Sequence, residues 1–242
     1  MTTLLSVGDM EVDVVRKDIR NVHLAVLPPD GRVRVSTPLH VADDQVRRLI
    51  IDRLGWIRLQ QAKFEQQPRQ TARRYVSGET HFYQGRRYRL QVTEAEAAPA
   101  VRIRGSQFID LKVRPGSTTE QRERTLHAWY REQLKTQLPA LAAKWEPVIG
   151  VRAADWAVKL MKTKWGTCNI EARRVWLNLE LVKVAPHLLE YVVVHELVHL
   201  LERQHNARFK ALLDQFMPAW RTYRAELNDG MLAAFEEYGA GE

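Results

Sequence analysis

Two histidines and a glutamate lie within five residues of the 242-residue sequence, in the run His195-Glu196-Leu197-Val198-His199. On a helix, at about 100° per residue, His195 and His199 stand about 40° apart and roughly 6 Å apart along the axis, so both imidazoles can bind one zinc ion. Glu196 lies beside them rather than between them. Its carboxylate can therefore reach a metal-activated water and act as a general base.

The surroundings of this motif argue against a chance match. From the frequencies of His and Glu alone, roughly one or two per cent of similar chains would contain it by accident. In this sequence, however, the motif interrupts an apolar run over residues 192–200. Polar groups buried in such a run cost several kcal/mol unless a metal or hydrogen bonds satisfy them, so a metal site is the favoured interpretation.

A catalytic zinc needs a third protein ligand and one open position. His205 is the first candidate, but in an unbroken helix it would stand roughly 100° from the other histidines and ~9 Å beyond His199. We therefore expect the helix to end first, near residues 204–206. Glu202 shares the histidine face, yet three ligands along one straight helix cannot converge tetrahedrally. Glu226, on the last predicted helix, is the alternative third ligand.

These residues must be positioned by an α+β fold. Apolar spacing predicts a β-rich N-terminal half with one helix, and then a half with a short sheet and a buried helix that carries the motif. Strands are expected within 11–40, 79–92, 101–103, 108–113 and 155–182, with a turn at 28–31 inside the first of these ranges. Helices are expected within 43–66, 120–145, 188–201 and 206–228. Pro139 is expected to kink or divide its helix, and Pro218 to bend the last one. We expect two regions, 1–115 and 116–242.

Composition narrows the function classes. The net charge is +8, and +7 of it falls on residues 1–115, with 20 basic against 13 acidic side chains. The single cysteine, Cys168, excludes an internal disulfide and favours the cytoplasm. No apolar stretch reaches the roughly 18–20 residues of a membrane span, and the charged first 20 residues do not resemble a signal peptide, so we expect no membrane partner.

The basic residues of the first half interleave with aromatic ones, which would suit nucleic acid as a partner. Solvated strand faces look the same in sequence, and no recognition module is visible. The residues concerned are Arg69, Arg73, Arg74, Arg86, Arg87, Arg89, Arg102 and Arg104, with Tyr75, Phe82, Tyr83 and Tyr88.

Three runs, 161–168, 175–178 and 191–199, with His205 six residues later, resemble the YgjP-like branch of zinc metallopeptidases, relatives of the SprT-like proteases. The resemblance spans most of the chain and includes Gly78, Glu79, Tyr83, Gly85, Tyr88 and Leu90. Lys164 and Thr167 depart from it, because the family usually has Arg and Ser there. Glu202 stands where metzincins keep a glycine, which argues against metzincin membership.

The resemblance implies a zincin-like catalytic half, 116–242, that forms one continuous unit with the first. It also implies that His195, His199 and His205 bind zinc and that Glu196 is the catalytic acid/base. The expected activity is hydrolysis of peptide or protein substrates by a metal-activated water.

The strand from Lys164 to Cys168 is expected to form a cleft edge, with Lys164, Trp165, Gly166 and Thr167 binding the peptide. Trp165 and Gly166 can equally serve packing and close backbone approach. Two other functions stay open: a nucleic-acid-binding protein with a structural or vestigial zinc site, and a metal-dependent hydrolase of a non-peptide amide or ester.

Overall fold

The computed structural model describes residues 2–27, 31–66, 73–161 and 164–229. Residues 28–30 of the expected turn, Arg69, and the pair Lys162 and Thr163 lie outside the described residues. The chain has an α+β architecture and forms two compact units, Met1–Thr71 and Ala72–Glu242. None of the described helices combines the length and the apolar character needed to cross a bilayer.

The first unit is a four-stranded sheet with two helices. Its strands are β1 (Thr2–Val7), β2 (Met10–Lys17), β3 (His23–Leu27) and β4 (Arg32–Pro38). Their order is β1-β2-β4-β3, with β2 and β4 parallel and the outer pairs antiparallel. Alternate valines of β2 and β4 form a core with Ile50 and Ile57. The single helix expected within 43–66 is divided into α1 (Asp43–Asp52) and α2 (Leu54–Gln66). The division falls at Arg53, which leaves the helical conformation (φ −104°, ψ 8°).

The second unit opens with a sheet of the same topology. Its strands are β5 (Thr80–Tyr83), β6 (Arg86–Glu94), β7 (Ala100–Arg104) and β8 (Phe108–Val113), ordered β5-β6-β8-β7 with β6 and β8 parallel. Helix α3 (Thr119–Ile149) follows, and Pro139 does not divide it. Proline removes only one helical hydrogen bond there, and the helix is buried on both sides of it, at Leu138 before the proline and at Ile149 after it. The boundary expected at residue 115 falls between β8 and α3.

The elements around the motif complete this unit. Strands β9 (Asp155–Lys159), β10 (Gly166–Asn169) and β11 (Arg174–Asn178) form a sheet ordered β10-β11-β9, and a 3₁₀ turn (Leu179–Val182) leads to α4 (Pro186–Val198), α5 (Ala207–Phe216) and α6 (Trp220–Asp229). The single last helix expected over 206–228 is thus two helices. The residue before a proline is disfavoured in helical conformation, and Met217, ahead of Pro218, is extended (φ −144°, ψ 76°).

Candidate metal centre

Helix α4 carries His195 and Glu196 in the interior of the second unit. It begins with Pro186. Proline has no backbone N–H, which costs nothing here because the first N–H groups of a helix make no hydrogen bond within it. Apolar residues cover the helix on all sides, and His195 and Glu196 are only 2% and 1% exposed. Side chains this polar and this buried depend on partners within the protein or on a bound ligand.

The end of α4 brings a third histidine back to this pair. The helix ends at Val198, with His199 as its C-terminal cap, and Asn206 caps α5 by accepting a hydrogen bond from the N–H of Phe209 (3.0 Å). In the turn between them, Nε2 of His205 lies 3.1 Å from Nε2 of His195 and 3.1 Å from Nε2 of His199. The reversal of the chain therefore converts a spacing of ten residues into direct proximity.

The three imidazoles form a donor set that fits a divalent metal ion. Among the described residues, only His195, His199 and His205 form such a group, with ligand atoms within 4.8 Å of one another. Around a tetrahedral zinc with Zn–N distances of about 2.0–2.1 Å, ligand nitrogens are about 3.3–3.4 Å apart. The 3.1 Å separations in the structure are close to that value. Little movement is needed to bind an ion.

The environment favours the neutral form of His195 and His199, which is the form that binds a metal. Burial lowers the pKa of His195 well below its usual range, and the neighbouring His199 and His205 lower it further. Burial also lowers the pKa of His199 to about 4. Nδ1 of His199 lies 3.1 Å from the carbonyl oxygen of Glu202. Donation of the Nδ1 hydrogen to this oxygen leaves the lone pair on Nε2, facing the other two histidines.

Phe209 packs against all three histidine rings. Its ring centroid lies 4.9 Å from that of His195, 4.7 Å from that of His199 and 4.8 Å from that of His205. The phenyl ring is buried, so it closes one side of the cluster with an apolar surface. Contact with three rings at once restricts their rotation and holds the ligand nitrogens together.

The carboxylate of Glu196 lies against the backbone of β10. A Cβ atom added to Gly166 would stand 2.5 Å from Oε1 and 2.8 Å from Cγ of Glu196, so a larger residue at this position would displace that side chain. Within the described residues, Oε2 of Glu196 makes no hydrogen bond. Burial raises the pKa of Glu196 well above its usual range, and the charge of Lys164 opposes that rise. A raised pKa means that the ionised carboxylate is a stronger base than that of an exposed glutamate.

The four expected substrate-binding residues, 164–167, lie at the start of an edge strand. Among the described strands, β10 pairs with β11 alone, so its other edge has no strand partner among them. Trp165 is fully buried, so its side chain serves the core. Asn178 fixes the segment: its Nδ2 donates to the carbonyl oxygens of Met161 (3.0 Å) and Lys164 (2.8 Å), and its N–H donates to that of Trp165 (2.8 Å).

Other candidates lie away from the histidine cluster. The carboxylate of Glu226 is exposed and pairs with Nε2 of His187 at 2.8 Å. Burial, followed by the charge of Glu196, raises the pKa of the Cys168 thiol to about 12, which disfavours thiolate chemistry. Sequence reasoning missed Phe209, which looks like any apolar residue of α5. It also gave no role to Asn178, although this residue ends the 175–178 run that carries part of the family resemblance.

The chain matches the family model described as "YgjP-like, metallopeptidase domain" over residues 20–230. No curated protein matches it. Among solved structures, the crystal structure of the metallopeptidase zymogen of Pyrococcus abyssi abylysin is similar to 37% of this chain and 90% of that chain, with 14% identity and a TM-score of 0.35. A likeness at that TM-score carries no argument about fold or function.

Proposed function

The chain belongs to the YgjP-like metallopeptidase domain family, and on that premise we propose that it is a zinc-dependent peptidase whose centre is the histidine cluster with Glu196. One observation carries the proposal: the Nε2 atom of His205 lies 3.1 Å from those of both His195 and His199. These residues are far enough apart in sequence that a specific chain reversal is needed to unite them. A cluster of three imidazoles with converging ring nitrogens is best explained by metal binding.

In the proposed reaction, the three histidines hold the metal and Glu196 moves the proton. Bound zinc would supply Lewis acidity that activates a water molecule and polarises the scissile carbonyl. Glu196 accepts the proton of the water and passes it to the leaving nitrogen. Packing against Gly166 holds the carboxylate in one orientation, and its raised pKa suits both accepting and releasing a proton. No covalent enzyme intermediate is required.

The substrate in this proposal is an extended peptide that pairs with the open edge of β10. Backbone N–H and C=O groups of such an edge bind a peptide largely independently of its sequence. The contact between Gly166 and Glu196 puts the pairing strand directly beside the proton acceptor. Asn178 supports this role because its hydrogen bonds fix the backbone just before the strand. The half of the chain that holds these elements is proposed to be zincin-like.

The test compares the wild type with Glu196→Gln and with Glu171→Gln, an exposed carboxylate on the β10–β11 turn. Each protein is assayed for zinc content and for cleavage of a quenched fluorescent peptide library. We expect Glu196→Gln to retain zinc and to lose about 10²–10⁴-fold in turnover, because one proton acceptor is removed. Glu171→Gln should match the wild type. Full activity of Glu196→Gln, or cleavage that survives complete removal of metal, would contradict the proposal.

A further inference from the structure

The sheet β5-β6-β8-β7 has one face in the core and one face that carries charge. Residues in register share a face, and the register places Phe82 beside Arg87, and Arg89 beside Phe108. We call this the outer face of the second sheet. Its members are Thr80, Phe82, Arg87, Arg89, Gln91, Thr93, Ala100, Arg102, Arg104, Phe108, Asp110 and Lys112. The basic members are exposed, and both phenylalanines are half-buried.

Five basic side chains on this face meet a single carboxylate. Asp110 accepts hydrogen bonds from Arg102 and Arg104, at 3.3 and 3.0 Å. The other three, on Arg87, Arg89 and Lys112, form no ion pair within the described part of the chain. Two of the guanidinium groups also lie over aromatic rings, Arg87 at 5.9 Å from the Phe82 centroid and Arg104 at 4.5 Å from that of Phe108. The face therefore offers an excess of positive charge beside flat apolar rings.

The first sheet is an internal comparison, because it has the same strand order and the same pattern of parallel and antiparallel pairs. The corresponding face of that sheet carries mixed charge and no phenylalanine, tyrosine or tryptophan. Its charged members are Glu11, Asp13, Lys17, Arg32 and Arg34. Both of its arginines lie near Asp13, at 3.9 and 3.6 Å. The basic and aromatic character of the second sheet is thus a property of its sequence and not a requirement of the topology.

We propose that the outer face of the second sheet binds single-stranded nucleic acid, with bases stacked on Phe82 and Phe108 and phosphates bound by Arg87, Arg89 and Lys112. This function is separate from the proposed hydrolysis. Charge complementarity selects a polyanion, and aromatic rings on the face of a four-stranded sheet are a known platform for unpaired bases. An acidic protein would use the charge but not the rings.

The spacing of the two rings favours a single strand over a duplex. Phe82 and Phe108 lie two strands apart and one row apart along the sheet. With about 4.8 Å between strands and about 6.8 Å between rows, they are roughly 12 Å apart. Bases stacked in a duplex rise only about 3.4 Å per nucleotide and hide their faces. An extended single strand can present separated, unstacked bases to both rings.

The test measures fluorescence anisotropy of a labelled oligothymidylate of about 12 nucleotides, a length within the usual site size for such platforms. The full-length chain should bind it with an affinity that falls as salt rises. Log affinity falls linearly with log salt concentration, and each phosphate contact to a single strand contributes about 0.7 to the steepness of that fall. The double variant Arg87→Ala/Arg89→Ala loses two such contacts, so its plot should be shallower by about 1.4. The matched control, Arg32→Ala with Arg34→Ala on the first sheet, should leave both affinity and slope unchanged.

A second variant separates stacking from charge. Phe108→Leu keeps an apolar side chain but removes the aromatic face, and should weaken binding about fivefold or more while leaving the salt slope unchanged. Phe82→Leu on the edge strand gives the same test if Phe108→Leu fails to melt cooperatively. Two results with the wild type would overturn the proposal: no binding of the oligonucleotide at low salt, or equal affinity for its duplex form or for polyglutamate. Two results with the variants would also overturn it: loss of binding in the first-sheet control, or full affinity in the leucine variants.

Discussion

Replacement of Gly166 by alanine should disable catalysis without removing the metal. The new Cβ would lie 2.5 Å from Oε1 and 2.8 Å from Cδ of Glu196, whereas Cβ atoms essentially never approach other atoms within 3.0 Å. The carboxylate must therefore retreat by roughly 0.5–1 Å, and a displacement of that size at a reacting group costs about 10²-fold in rate. The backbone of β10 cannot move away freely because it is paired with β11.

The assay is turnover of a cleaved peptide at saturating substrate, with zinc content measured on the same samples. The matched control is Gly55→Ala, because no atom lies within 4 Å of a Cβ at that helical position. We expect Gly166→Ala to lose about 10²-fold in kcat with zinc retained, and Gly55→Ala to keep full activity. Undiminished turnover of Gly166→Ala, or loss of its zinc, would refute the inferred contact between β10 and Glu196.

Three further results are expected. Burial lowers the pKa of His81 from 6.5 to about 4, so between these pH values the unfolded chain binds a proton that the folded chain does not. The free energy of unfolding should therefore fall by about 3 kcal/mol as the pH drops from 6.5 to 4. Urea unfolding of His81→Gln should lack this pH dependence, and a pH profile equal to that of the wild type would count against the role of His81. Asn178→Ala should lower the free energy of unfolding by roughly 2–4 kcal/mol because it leaves half-buried backbone groups without their hydrogen-bond partner. Asn169→Ala, at the exposed end of β10, should cost less than about 1 kcal/mol, and equal losses would be the contrary result. Phe209→Leu should weaken zinc binding about tenfold in a competition with a chelator, because the three histidine rings lose the phenyl ring that they all contact. Unaltered zinc affinity would show that Phe209 does not position the histidines.

Much of the fold could be predicted from periodicity and caps. Strand β8 falls on its expected bounds, and α5 begins at Ala207, one residue after the expected start at 206. Two differences arise from tertiary packing. Strand β1, with no sequence signal that we recognised, is held by pairing along its length with β2. Pro139 stays inside α3 because burial of its neighbours outweighs one lost hydrogen bond.

The candidate site was predictable only where its geometry is local. The pair His195 and His199 follows from helical spacing alone. The position of His205 depends on how the chain turns after α4, so sequence could name it as a candidate but not exclude Glu226. The contact between Gly166 and Glu196 joins a strand to a helix thirty residues away, and no periodicity encodes such a contact. Phe209 is hidden for the same reason.

The proposed chemistry depends on one metal ion held by the three histidines, and the number of zinc ions bound per chain measures this. Purified wild type, His205→Ala and Glu226→Ala are dialysed against the same weak chelator with zinc, and bound metal is measured by mass spectrometry. We expect about one zinc per chain in the wild type and in Glu226→Ala, and a large loss in His205→Ala. A wild type without bound zinc, or a His205→Ala variant that keeps it while Glu226→Ala loses it, would contradict the account.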